Sequence, residues 1–358
     1  MLSDELIREG ERVMTICNAC RYCEGFCAVF PAMERRMSFA EADMNLLANL
    51  CHNCTECIHA CQYSPPHIFA VNVPLTLAKI RLRSYEKYCW PPVLGAAFRL
   101  RAVETALSIA TVLFVLMWVA TASAGRTGHP GSFYSVIPHE VMVTAFGSVF
   151  ILVVAAMTIS ITRYVRDLGD GPDPGPGGSI LNGLRDAFTL KYLHGSGESC
   201  TLDESVRTPW RRWFHHFTFY GFVLCFASTC VASLYHIALH REAPYALWSL
   251  PVLLGLVGGI GLVVGPIGLW TLRERRNPAT VDTDQKGLDR AFILLLVLTS
   301  LTGLALLALR DSVAMGPLLL LHLALVLTLF LTLPYGKFVH GLYRTAALIR
   351  YARESRAN

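Results

Sequence analysis

The runs "CNACRYCEGFC" at residues 17–27 and "CHNCTECIHAC" at residues 51–61 carry the same cysteine intervals on different neighbours. Cys17, Cys20, Cys23 and Cys27 stand as C-x2-C-x2-C-x3-C, and Cys51, Cys54, Cys57 and Cys61 repeat it. Chemistry that reads spacing and ignores the intervening side chains is metal ligation. This interval suits a cubane iron–sulfur cluster, where three closely spaced thiolates cap three irons and the fourth cysteine of a run serves the other cluster. The spacing therefore predicts two [4Fe–4S] clusters, one on Cys17, Cys20, Cys23 and Cys61, the other on Cys51, Cys54, Cys57 and Cys27. Tetrahedral zinc takes two short pairs and leaves the third cysteine of each run unexplained. Neither run has Pro directly after its fourth Cys; Ala28 and Gln62 stand there, with Pro31 and Pro65 further on, a departure from the commonest ferredoxin form.

Between the runs, Ser38 and Glu41 fit a capping box and "FAEADMNLLANL" reads as a helix up to Cys51. Strand signals are missing there, so the expected domain is a mostly α, helical ferredoxin of the kind found in iron–sulfur subunits of succinate dehydrogenase. His52, His59 and His67 are expected to tune or shield the clusters, since the cysteines complete both sites. Cys89, Cys200, Cys225 and Cys230 share no spacing and read as small hydrophobes.

Outward from the cysteines, the composition changes near residue 100. The whole chain of 358 residues is 53% hydrophobic and 16% charged, far from a soluble domain, and the apolar stretches all follow Ala102. Six membrane helices are expected at about 103–122, 138–161, 213–239, 246–270, 288–309 and 313–338, each near the roughly 20 residues that cross a bilayer. The expected units are a cysteine domain over 1–100, a six-helix membrane domain over 101–345 and a tail over 346–358. The first twelve residues carry Asp4, Glu5, Arg8, Glu9, Glu11 and Arg12 with no apolar core, so no signal peptide is visible. The three expected outer loops hold only Arg126, Arg241 and Arg310 of the 31 Lys and Arg, which predicts both termini in the cytoplasm of a multi-pass inner-membrane protein. A formal net charge of +5, not gathered into one block, gives no support to nucleic-acid binding.

"DLGDGPDPGPGG" at 167–178 reads as a loop and lacks the strand-and-helix context of a phosphate cradle. Residues 179–193 read as a surface amphipathic helix with Ile180, Leu184, Phe188 and Leu181 on one face. Gly255, Gly258, Gly259, Gly261 and Gly265 in the fourth span predict close approach of a neighbouring backbone.

Ionisable residues in a bilayer are functional candidates by default. The third span carries His215, His216 and His236, the sixth His322 and His340. The last two are eighteen residues apart, five turns and roughly 27 Å on a straight helix, so both face one way. His215 shares a face with His236 better than His216 does. Antiparallel packing of these spans would set His236 opposite His322 at the outer end and His215 opposite His340 at the inner end, each pair offering two axial nitrogens to a b-type haem. Pro334 is placed to turn the sixth helix before His340, and Lys337 marks the interface. His139, beside Glu140, is an alternative ligand or a proton group near a quinone; His194 and Cys200 read as loop residues. Arg81, Arg83 and Lys87 are candidates for a docking face, with a positive-inside stretch as the commoner explanation.

No strand–GxGxxG–helix unit occurs, so the chain carries no visible site for NAD or FAD. Clusters at one end, haem in the membrane and no catalytic constellation describe a relay. The sequence resembles the tricarballylate-utilisation protein B family, also called CitB-like, from end to end. The resemblance rests on both cysteine runs together with "VIPHE" at 136–140, "RRWFHHFTFYGF" at 211–222, "SLPVLLGLVGGIGL" at 249–262 and "LPYGKFVHGLYR" at 333–344. It implies a membrane protein that reoxidises the reduced flavin of a separate FAD-dependent tricarballylate dehydrogenase, the producer of cis-aconitate, and passes the electrons to the quinone pool. A related arrangement fuses a similar module to a flavoprotein in cobalamin synthesis, so the partner's substrate stays open. The competing class is a redox-sensing membrane protein or carboxylate transport component; the spans show no central charge or broken-helix pair of the transporter kind.

Overall fold

The computed structural model describes residues 2–126, 131–169, 176–193, 200–203 and 206–356. The cysteine region is built from α1 (Leu2–Cys20), α2 (Val29–Glu34), α3 (Glu41–Leu50), α4 (Glu56–His59) and α5 (Val73–Tyr88). α1 and α3 pack on α5 because each turns an apolar stripe inward, with Val13, Met14, Met44, Leu47, Leu77 and Ile80 all buried. α3 starts two residues later than the expected box: Ala40 is its N-cap residue, and the Asp43 carboxylate accepts the Ala40 N–H at 3.1 Å, so Ser38 and Glu41 form no capping box. Among the described residues this region contains helices and connecting turns and no strand.

α6 (Pro92–Leu100) leads into α7 (Ala102–Ser123), followed by α8 (Phe133–Val136), α9 (His139–Asp167), α10 (Pro176–Phe188), the antiparallel hairpin β1 (Cys200–Asp203) and β2 (Val206–Thr208), α11 (Trp210–Leu239), α12 (Leu250–Glu274), α13 (Lys286–Leu309), α14 (Met315–Thr332) and α15 (Val339–Glu354). Six of these helices are long and apolar enough to cross a membrane: α7, α9, α11, α12, α13 extended from Thr283, and α14. The shortest has 18 residues and the longest 30, about 27 and 45 Å of helix. The chain is thus a multi-pass membrane protein. α14 is the most enclosed span, and α11 turns most of its surface away from the protein.

α11 and α12 lie backbone to backbone. A Cβ on Gly258 would stand 2.8 Å from the Gly221 carbonyl oxygen, and one on Gly261 3.0 Å from that of Phe217, so the glycines fulfil the expected packing role. α14 rests instead on α13, α7 and α9. The expected sixth span ends early: α14 stops at Thr332, and residues 333–338, with Pro334, form the elbow to α15. Lys337 is anchored in that elbow by the Asp289 carboxylate at 3.1 Å and the Gln285 amide oxygen at 2.7 Å.

α15 does not behave as a tail. Its Ala347 and Leu348 complete the apolar core of the cysteine region, so the expected boundary at 345/346 falls inside a helix that belongs to that region. Arg36 clamps it by donating to Glu354 at 2.8 Å while also pairing with Asp43 at 2.6 Å. Burial pushes the Glu354 carboxyl up, yet Arg36 and Arg350 outweigh it and hold the group below the ordinary glutamate range. The expected amphipathic helix is present as α10, packed along α15 with Leu181 and Phe188 exposed. Of the expected 167–178 loop, residues 170–175 lie outside the described residues, as does His194.

Candidate electron-transfer site

The first cysteine run begins inside α1. Cys17 and Cys20 lie on its last turn, one above the other at an i, i+3 spacing, and Arg21 leaves the helix with φ 54°. Cys23 and Cys27 follow in the turn that leads to α2. In the second run, Asn53 and Thr55 both take left-handed conformations, φ 52° and 67°. For a β-branched residue such as Thr55 that is strain, a feature retained where a loop has a task beyond connecting two helices.

The runs are interleaved. Cys17, Cys20, Cys23 and Cys61 line one cavity of about 260 Å³, closed by Ile16, Phe30 and Val71, and Cys57 borders it. Cys27, Cys51, Cys54 and Cys57 line a second, tighter cavity with Phe26, Val29 and His52. The first cavity thus joins three thiols of the first run to Cys61 and Cys57 of the second, and the second cavity joins three thiols of the second run to Cys27 of the first. Burial first, and the neighbouring thiols second, push Cys17 and Cys23 up to about 12 and raise Cys27 and Cys57 well above the usual thiol value. Thiols so placed ionise only when a positive ion takes up the charge. Among the described residues no three potential ligands converge on one ion-sized point. The residues fit the cluster that the spacing implies.

His52 is buried, and burial together with Arg344 and Arg211 holds its pKa well below the ordinary imidazole value. His67 is packed edge-on against Tyr63 and Phe69. Cys89 is buried beside Gly95, Cys225 is half-buried and Cys230 exposed; the Cys200 side chain lies outside the described residues.

Four arginines converge on the backbone of the second run. Arg81 and Arg344 both donate to the Cys51 carbonyl at 2.5 Å, Arg211 donates to the carbonyls of His52 at 2.7 Å and Asn53 at 2.9 Å, and Arg276 reaches Asn53 at 2.6 Å. Arg81 is 6% exposed, so it is no docking residue, and Lys87 is engaged by Glu41 and Asp167. Among the described residues neither Arg81 nor Arg344 has a carboxylate partner. Burial and the nearby Arg81 lower Arg344 to about 10, which leaves it charged at neutral pH. These residues are scattered through the sequence with no common spacing. The one usable signal was the repeat of Arg one turn from His, Arg211 before His215 and Arg344 after His340.

Those two histidines meet. The rings of His215 and His340 lie 6.0 Å apart between centres, nearly perpendicular at 80°. The His340 Nδ1–H donates to the Lys337 carbonyl at 2.5 Å, leaving Nε2 as the lone-pair nitrogen. At the outer end the expected facing of His236 and His322 is not a direct contact. His236 stacks on His139 at 3.6 Å and 26°, with Tyr134 edge-on to both. His322 turns to α13, where Nδ1 pairs with Thr302 Oγ1 at 3.1 Å and the ring lies over Gly303. The reason is the helix arrangement: α11 is held along α12 by the glycine seam and α14 along α13. His139, His236 and Tyr134 line a cavity of about 170 Å³ with Thr229, Ser233 and Tyr245. A larger cavity of about 660 Å³ between α10 and α15 is basic, with Arg185, Lys191, Arg212 and Arg356, and contains no thiol.

A helical domain with interleaved ferredoxin-type cysteines, fused to six apolar spans, defines a membrane-bound ferredoxin-like protein. The chain belongs to the citrate utilization protein B family. That family's profile matches residues 94–358, and the profile of its Fer4-like domain matches residues 10–87. The chain is 51% identical to the citrate utilization protein B of Escherichia coli over 353 residues, 97% of this chain and 92% of that protein. No solved structure matches.

Proposed function

We propose that this protein is the membrane electron carrier of a flavoprotein:quinone system, taking electrons from the reduced FAD of a separate dehydrogenase of the tricarballylate dehydrogenase kind and delivering them to the quinone pool. Cys17, Cys20, Cys23 and Cys61 would hold one [4Fe–4S] cluster, and Cys27, Cys51, Cys54 and Cys57 the other. His215 and His340 would hold a b-type haem. Their rings lie 6.0 Å apart between centres, and the bond from His340 Nδ1–H to the Lys337 carbonyl leaves Nε2 free for a metal. His236 and His322, whose ring contacts lie elsewhere, are second candidates for the same chemistry. The Lys and Arg asymmetry favours a cytoplasmic cysteine end, where a soluble flavoprotein can reach it.

The iron groups supply one-electron chemistry when bound; the chain's residues position and insulate them. Phe30, Val71 and Val73 exclude water around the first thiol set, and the arginines fix the loop of the second. The observation that carries the reading is the interleaving of both runs into two adjacent thiol-lined cavities. Membranes holding the protein are expected to show two cubane signals by electron paramagnetic resonance, dithionite-reducible b-type absorbance, and quinone reduction on addition of the reduced flavoprotein. Colourless protein with stoichiometric zinc would refute it.

A further inference from the structure

The two thiol sets differ in the cations around them. The second has the guanidiniums of Arg81 and Arg344 on the carbonyl of one of its own cysteines, with Arg211 and Arg276 on the next two carbonyls. The Asn53 N–H also points at Cys51 Sγ, 3.4 Å away. Asp289 is already neutralised by Arg273 at 2.8 Å and Lys337 at 3.1 Å, while the buried Glu56 stands between Cys54 and Cys57 of the same run.

A four-thiolate iron–sulfur cluster is anionic and gains a further negative charge on reduction, so net charge and hydrogen bonds around it set its potential. Nearby cations favour the reduced state, and a nearby carboxylate disfavours it. Two buried guanidiniums with no carboxylate partner are costly unless another anion compensates them.

We propose that Arg81 and Arg344 are the counter-charge of the centre held by Cys27, Cys51, Cys54 and Cys57, and that they set a potential step directing electrons from the Cys17 set to the Cys51 set. The inference rests on the reading that both sets hold [4Fe–4S] clusters. Each transfer is one electron: the first centre is oxidised by one and the second reduced by one, no proton moves, and the reduced flavin of the partner is the ultimate donor. Arg81 and Arg344 are positioning residues; they touch backbone, not iron.

The test is a redox titration of the detergent-extracted, full-length protein followed by electron paramagnetic resonance. Arg81→Gln and Arg344→Gln are each expected to lower the reduced-to-oxidised ratio of one centre by tenfold or more at fixed potential, about 59 mV for a one-electron couple. The affected signal should be the one missing from Cys54→Ser, and the other should not move. Arg81→Lys and Arg344→Lys keep the charge and should stay within that tenfold. Unchanged potentials with both clusters bound, equal shifts of both centres, or a fall in the Lys variants as large as in the Gln variants would overturn the proposal. Should one Gln variant fail to take up iron, the other Gln variant and both Lys variants decide it by the same criteria. Wild-type protein lacking iron and acid-labile sulfide would sink the cluster reading itself, which is a separate outcome.

Discussion

Replacing Cys61 by Ser separates the interleaved arrangement from the simple one in which each run serves its own cluster. Cys61 belongs by sequence to the second run, but it shares a cavity with Cys17, Cys20 and Cys23. Cys27 belongs to the first run and shares a cavity with Cys51, Cys54 and Cys57. Two cubanes carry about eight irons per chain, so losing one leaves about four. Iron content alone does not say which centre was lost; phenocopy does. The spectrum of Cys61→Ser is expected to match that of Cys20→Ser, and the spectrum of Cys27→Ser that of Cys54→Ser. Cys57 borders both cavities, so Cys57→Ser is expected to lose one signal and broaden or shift the other. The assay is electron paramagnetic resonance of dithionite-reduced protein, with iron and acid-labile sulfide measured on the same sample. If Cys61→Ser loses the signal lost in Cys54→Ser, the interleaving is wrong, and with it the assignment of the arginines to one particular centre.

Further expectations concern the membrane half and the clamp on α15. His215→Ala and His340→Ala should each abolish the same b-type absorbance, read in dithionite-minus-air difference spectra, whereas retention of the full signal in either variant removes that pair as ligands. A Cβ on Gly265 would stand 2.5 Å from Thr218 Oγ1 and 2.7 Å from the Phe214 carbonyl, so Gly265→Val should destabilise the protein by about 3 kcal/mol or more in thermal melts in detergent. Gly147 meets nothing within 4 Å, and Gly147→Ala should leave the melt unchanged or raise it slightly. The folded pKa of Glu354 is depressed, so its contribution is fully present above the unfolded value of about 4.3 and is lost as pH falls through the folded pKa. Amide-exchange protection of α15 should therefore drop in the acid range below about pH 4.3, and Glu354→Ala should remove that pH dependence at a cost of about 3 kcal/mol.

Much of this architecture is legible in the amino-acid order because it depends on local intervals. The thiol spacing announces a cluster loop and its crossing; the apolar stretches announce the spans, and the glycines of α12 the close approach of α11. Pro334 announces the elbow that ends α14 at Thr332. What the order does not carry is which helices become neighbours. Period 3.6 places His236 and His322 on faces of their own helices, and only the seam between α11 and α12 decides that His236 meets His139. The role of α15 was hidden for a similar reason: a helix rich in Arg and Tyr after the last span reads as a tail until Ala347 and Leu348 are seen inside another region's core. Arg81 shows the same limit, since a basic residue near a membrane reads as a topology signal and its burial against Cys51 depends on residues far away in sequence.

The arrangement of α11 and α15 explains why the cysteine domain and the bundle are one device. On α11, Arg211 precedes His215 by four residues; on α15, Arg344 follows His340 by four. One helical turn, about 5.4 Å of rise, therefore separates each arginine from its histidine on the same face. The arginine of each pair holds a carbonyl of residues 49–53, and the histidine of each pair faces the other. The two helices thus grip the loop of the second thiol set at one level and bring the imidazoles together about one turn away. A rotation of either helix would misplace a loop contact and a histidine together. The spacing between the Cys51 loop and the histidine pair is consequently built into two helix faces, with α15 docked through Arg36 and Glu354 and through Ala347 and Leu348 in the core.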